Sequence, residues 1–82
     1  LVIDDSPTVR AELAEVLSQA GHEVVTVGSG EEGLRLAGAR LPDAVLVDHH
    51  LPGIDGATVI RRLRADVRLR DVHRQMLTFR RE

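Results

Sequence analysis

Asp4 and Asp5 follow directly on the apolar run Leu1-Val2-Ile3, and Asp48 follows directly on Ala44-Val45-Leu46-Val47. If those runs are neighbouring strands of a parallel sheet, three carboxylates converge on one crevice. Left alone, such a cluster is repulsive and costly. A hard divalent cation with oxygen ligands relieves it, and Mg²⁺ suits one or two carboxylates together with waters and a phosphate. Taken singly, each acid has a plainer reading. Asp4-Asp5 could be loop acids or an alternative cap before Pro7, and Asp48 a turn former before Pro52-Gly53. Placed together at two strand ends, they favour the cation site.

Other residues invite chemistry less strongly. His49 and His50 beside Asp48 would suggest zinc if they were ligands; the plainer reading is a pair of exposed loop histidines, and His22 and His73 read as solvated too. Gly28, Gly30 and Gly33 spell G-x-G-x-x-G after a strand, the dinucleotide fingerprint by letter. The pattern follows the second strand, and a Gly-rich turn into a helix explains it without a cofactor. Arg61, Arg62, Arg64, Arg68, Arg70, Arg74, Arg80 and Arg81 crowd the last quarter of the chain. No recognition motif or aromatic stacking platform accompanies them. They read as a solvated face, with a partner surface as the next option and no direct nucleic-acid contact.

The elements that must position the acids are legible as punctuation. Ser6-Pro7 reads as a helix N-cap and first helical residue. Val9, Leu13, Val16, Leu17 and Ala20 follow at helical spacing, and Gly21 is a plausible stop. Glu23 to Val27 reads as a strand. Ser29-Gly30-Glu31-Glu32 fits a capping box for a helix over about 31–40, broken by Leu41-Pro42-Asp43. The unbroken apolar run 44–47 predicts a strand buried on both faces. Asp55 can cap a third helix carrying Val59, Ile60 and Leu63, and a poorer strand candidate runs from Val72 to Thr78. The order β-α-β-α-β-α-β implies an α/β, doubly wound parallel sheet with right-handed crossovers. Ligands of such sheets bind at the carboxyl ends of the strands, near the point where strand order switches.

Length and composition agree. At 82 residues the chain is one domain at most, and one this small buries only about 60–65% of its unfolded surface. Phe79 is the sole aromatic residue, so the core must be aliphatic. The absence of cysteine excludes disulfides and thiolate metal sites. No apolar run approaches the ~20 residues of a membrane span and no signal peptide is visible, so a cytoplasmic location and no membrane partner are expected. The net charge of −2 divides unevenly: residues 1–60 carry ten acids against three arginines, residues 61–82 eight arginines against three acids. There is no lysine. The start at Leu1, in an apolar run, reads as a piece of something longer.

On these residues the chain resembles the receiver domains of bacterial response regulators, the flavodoxin-like phosphoacceptors of two-component signalling. The matching stretches are Leu1-Val2-Ile3-Asp4-Asp5-Ser6, the run from Asp43 through Asp48-His49-His50-Leu51-Pro52-Gly53-Ile54-Asp55-Gly56, and Met76-Leu77-Thr78. The separations fit as well, 43 positions from Asp5 to Asp48 and 30 from Asp48 to Thr78. The resemblance implies strand order 2-1-3-4 and a domain over 1–82 that stops before the fourth helix, an incomplete receiver of about two thirds.

The resemblance also implies roles. Asp48 matches the acceptor whose carboxylate attacks the phosphorus of a phosphohistidine on a sensor histidine kinase or phosphotransfer protein. Asp5 and Asp48 match direct Mg²⁺ ligands, Asp4 a ligand acting through water, and His50 the position lending a backbone carbonyl. Thr78 matches the hydroxyl that moves to the new phosphoryl group. An output domain or effector would read the result. Hydrolysis of the aspartyl phosphate would be slow and self-catalysed, not the work of a dedicated enzyme. Some features depart from the pattern: the family's lysine is absent, Phe79 stands where a small residue is usual and could narrow the path to the site, and Val72-His73-Arg74-Gln75 is polar for a strand. These favour a second expectation, a receiver used as an interaction or dimerisation module without phosphorylation. The missing elements would leave one face of the first helix bare, so self-association or completion by a partner is expected. A metal-dependent phosphatase using Asp4 or Asp48 is a weaker third reading, since the Asp-x-Asp spacing of the haloacid dehalogenase type is missing.

Overall fold

The computed structural model describes residues 1–69 and the strand at 76–79. The elements are β1 (Val2–Ile3), α1 (Pro7–Gln19), β2 (Thr26–Val27), α2 (Gly30–Arg40), β3 (Val45–Asp48), α3 (Gly56–Ala65) and β4 (Met76–Phe79). The strands form one parallel sheet in the order β2-β1-β3-β4, as expected. The crossover from β1 to β2 runs one way across the sheet, and those from β2 to β3 and β3 to β4 run the other. With one handedness for all three crossovers, α1 lies alone on one face and α2 and α3 share the other.

The helix boundaries follow from the caps. Ser6 accepts the Val9 N–H, Ser29 the Glu32 N–H and Asp55 the Thr58 N–H, each satisfying an orphan donor of the first turn. Gly21 takes the left-handed conformation after α1, with φ 95°. Leu41 ends α2 in the same region at φ 47°, its N–H bonded to Ala37. A short 3₁₀ turn at 67–69, not foreseen from the sequence, carries Leu69 into the core.

The core is one-sided. Ile3, Val45 and Val47 share a sheet face with Ala37 of α2 and Val59, Ile60 and Leu63 of α3, all buried. Gly30 and Gly33 make that packing close: a side chain on Gly33 would collide with Ile3 Cδ1, and one on Gly30 with Ile54 and Val59. Gly30 and Gly33 therefore serve the packing of α2. On the opposite face α1 has no buried residue, and Val16 is 63% exposed. A groove of about 630 Å³, lined by Val2, Leu17, Val25 and Leu46 together with Leu36 and Arg40 of α2, opens at the end of the sheet away from the acids.

Two expectations are corrected. β3 is not buried on both faces: Leu46, on the thinly covered α1 side, is only half-buried. β2 is shorter than Glu23–Val27, because its pairing with β1 is confined to Thr26 and Val27. The fourth strand is present at Met76–Phe79; the polar stretch Val72–Gln75 and His73 lie outside the described residues.

Candidate functional site

β1 and β3 are adjacent, with Val2 opposite Leu46 and Ile3 opposite Val47. The chain leaves β1 toward one edge and returns to β3 on the other side, so the switch in strand order falls between them. The next residue on each strand is Asp4 and Asp48. Both are fully buried. One carboxylate oxygen from each of Asp4, Asp5 and Asp48 lies within 4.8 Å of the others. The three predicted acids are thus brought together, with Asp5 on the exposed side.

Backbone amides hold the two buried carboxylates. Ser6 N–H donates to Asp4 Oδ1 at 2.8 Å, and His50 N–H donates to Asp48 Oδ1 at 3.1 Å. Backbone N–H bonds to a carboxylate are among the stronger hydrogen bonds and fix its orientation. The loop after Asp48 is held from below by α3. Gly56 N–H bonds to His49 O at 3.3 Å, and a Cβ on Gly56 would stand 2.5 Å from the carbonyl oxygen of Asp48. It is held from the side by α2, whose Glu31 Oε1 accepts the Ile54 N–H at 3.3 Å.

His49 and His50 stack edge to face, ring centroids 4.9 Å apart, with His50 exposed. Among the described residues neither joins a cluster of possible metal ligands. β4 brings Thr78 level with Val47 and Phe79 level with Asp48 through the backbone register.

Three tethers escaped the sequence. Arg10, half-buried on α1, donates from Nη1 to the backbone carbonyl of Asp4 at 2.7 Å. Glu31 reaches 23 positions along the chain to the loop at Ile54. Arg68, read as part of a solvated face, pairs with Asp66 at 2.6 Å and reaches the carbonyl of Gly38 on α2 at 3.3 Å. All three link elements whose proximity only the fold creates.

The donor set is oxygen alone, anionic and partly withdrawn from water. That chemistry fits a hard cation such as Mg²⁺. Asp4, Asp5 and Asp48, whose carboxylate oxygens lie within 4.8 Å of one another, are the residues that could hold it.

Known proteins share this fold. All 82 residues match the response regulator receiver domain family. The chain is 45% identical over 64 residues to the transcriptional regulatory protein AfsQ1 of Streptomyces coelicolor, a match covering 78% of this chain and 28% of that protein. The N-terminal domain of a response regulator receiver protein from Methanoculleus marisnigri superposes with a TM-score of 0.86 at 34% identity, over 94% of this chain and 61% of that one. The receiver domain of a sensor histidine kinase from Pseudomonas aeruginosa, solved with a magnesium ion coordinated in the active site cleft, gives 0.85 at 28% identity, over 94% and 62%. The chain spans less than two thirds of the length of each of these proteins.

Proposed function

The chain belongs to the response regulator receiver domain family, and from that premise we propose that it accepts a phosphoryl group on Asp48. The observation that carries this reading is the meeting of the Asp4, Asp5 and Asp48 carboxylates within 4.8 Å where β1 and β3 end. A carboxylate oxygen of Asp48 forms a bond to phosphorus while the N–P bond of a phosphohistidine breaks and its electron pair returns to the imidazole. Such a transfer asks the protein for positioning and charge neutralisation. The His50 N–H on Oδ1 holds the nucleophile in one orientation.

Asp4, Asp5 and Asp48, with the backbone carbonyl of His50, are the residues that would hold Mg²⁺. When bound, the ion offsets the repulsion between an anionic nucleophile and an anionic phosphate. The magnesium in the Pseudomonas relative supports that choice of cation. Thr78 is assigned the hydroxyl that meets the phosphoryl group, a role supported by its backbone position beside Val47.

The donor is a sensor histidine kinase or phosphotransfer protein, and an output domain or effector reads the added charge. Loss of the phosphoryl group is slow self-catalysed hydrolysis. Among the described residues no helix is long and apolar enough to cross a membrane, and the reading places the domain in the cytoplasm. Self-association over the α1 face belongs to the same reading; a monomeric mass in light scattering with a cooperative melt would remove it.

The test is incubation with phosphoramidate, with and without Mg²⁺, followed by intact mass and peptide mapping. The expected result is a single Mg²⁺-dependent phosphoryl adduct on Asp48, absent from Asp48→Asn. A folded protein that gains no adduct overturns the reading and leaves the non-phosphorylated interaction or dimerisation module in its place.

A further inference from the structure

Asp4 is held at three points. Its N–H donates to Val27 O of β2 at 3.1 Å, its Oδ1 accepts the Ser6 N–H, and its carbonyl oxygen accepts Arg10 Nη1 at 2.7 Å. That carbonyl belongs to the peptide joining Asp4 to Asp5. The peptide is planar, so fixing its oxygen fixes the plane from which the Asp5 side chain departs. The guanidinium in turn lies against Gly28, just beyond β2: a Cβ there would stand 3.1 Å from Nη1 and 3.8 Å from Cζ. One half-buried side chain on α1 is therefore bonded to the end of β1 and lies close beside Gly28, just beyond β2, next to two of the three acids.

We propose that Arg10 is a positioning residue of the acidic site: laid across Gly28, its guanidinium holds the Asp4–Asp5 peptide and so sets the spacing of the carboxylates for a divalent cation. The inference rests on the Mg²⁺-dependent reading above. It also assigns Gly28 a purpose, to leave room for the guanidinium. The sign of the effect separates this role from simple electrostatics. Arg10 carries a charge of the same sign as the metal, so its field alone weakens cation binding and its removal would tighten it. A clamp that preorganises the ligands does the opposite. Groups that orient metal ligands from behind typically change metal affinity about 10- to 100-fold when removed.

The experiment is a Mg²⁺ titration followed by backbone amide NMR shifts on the whole chain, with a thermal melt of each variant. Arg10→Met is expected to bind Mg²⁺ about 10- to 100-fold more weakly. Arg10→Lys, which keeps a donor and the charge, is expected to recover part of the loss. Gly28→Ala, which crowds the guanidinium without touching an acid, is expected to weaken binding in the same direction by less. Binding by Arg10→Met as tight as wild type, or tighter, overturns the proposal. If Arg10→Met does not fold, wild-type affinity in both Arg10→Lys and Gly28→Ala overturns it instead. Asp5→Asn separates the two levels. Wild-type binding that Asp5→Asn loses and Arg10→Met keeps removes the clamp alone; no Mg²⁺ binding by the wild type removes the underlying reading and the clamp with it.

Discussion

Asp4 and Asp48 are the same device built twice. Each stands one position beyond the facing pair Ile3 and Val47, each is fully buried, and each accepts through Oδ1 the N–H of the residue two places on. Two adjacent parallel strands thus end in matching turns that point carboxylates at a common space. Asp5, exposed and one step further along, completes the group.

This arrangement predicts that Asp5→Asn removes the response of the protein's stability to Mg²⁺. Saturating Mg²⁺ should raise the wild-type melt, since a ligand at 100 times its Kd contributes about 2.7 kcal/mol, and should leave the variant unmoved. Calorimetry with and without a chelator reads both; equal Mg²⁺ stabilisation of the two proteins would remove Asp5 from the site.

Gly56 is where α3 touches the acceptor strand. In Gly56→Ala the new methyl must displace the Asp48 carbonyl, a backbone atom with no freedom to rotate aside. Overpacking of this kind costs about 1–3 kcal/mol. Phosphorylation by phosphoramidate should slow as well, because the displaced atom belongs to the nucleophile's own residue. Ala57→Ser, one residue on and exposed, is the control expected to change neither.

Gly33→Ala tests the packing of α2 on β1, directly beneath the strand end that carries Asp4. The added methyl meets Ile3 Cδ1, which Ile3→Val removes. Each single substitution should lower stability, and the double variant should be more stable than the sum of the two predicts. Coupling of contacting residues is about 0.5–3 kcal/mol. A double-mutant cycle by denaturant unfolding would expose strict additivity, which would place the two residues apart.

The pH dependence of α3 follows from its caps. Hydrogen bonds from Thr58, the backbone N–H first, hold the Asp55 carboxyl below its ordinary range, and the hydrogen bonds of Arg68 do the same for Asp66 at the other end. A depressed acid contributes stability that is present above its unfolded pKa of about 3.9. That contribution is lost as pH falls through the lower, folded value. Amide shifts in α3 should therefore report loosening only in that acid window. Asp55→Asn, which still caps, should flatten the response at the N-terminal end while Asp66 keeps its own.

The sequence reveals those parts of the site that are written locally. An apolar run ending in acids marks a strand end, and Ser6-Pro7, Ser29 and Asp55 mark helix starts through bonds reaching only three residues. Arg10 on Asp4, Glu31 on Ile54 and Arg68 on Gly38 were invisible because nothing in an arginine or glutamate names its distant partner. The glycines at 30 and 33 were rightly read without a cofactor, but their packing against Ile3, Ile54 and Val59 was not legible, since it depends on neighbours that only the fold supplies. Leu46 went astray because burial on both faces of a strand requires helices on both sides, and only α1 covers the second; β2 went astray because its ends are set by pairing with β1, which an apolar run does not reveal.

The one-sided core gives the domain an uneven clock. Local opening draws on the elements with the fewest buried contacts. α1 buries none of its residues, whereas α2 and α3 close over Ile3, Val45 and Val47. Hydrogen exchange should run fastest along α1 and slowest at β1 and β3. The acidic trio straddles that divide. Asp48 is rooted in the slow part, while Asp4 and Asp5 lead straight into the fast helix, so the site should breathe from one side, with the acceptor staying in place as its companions come and go.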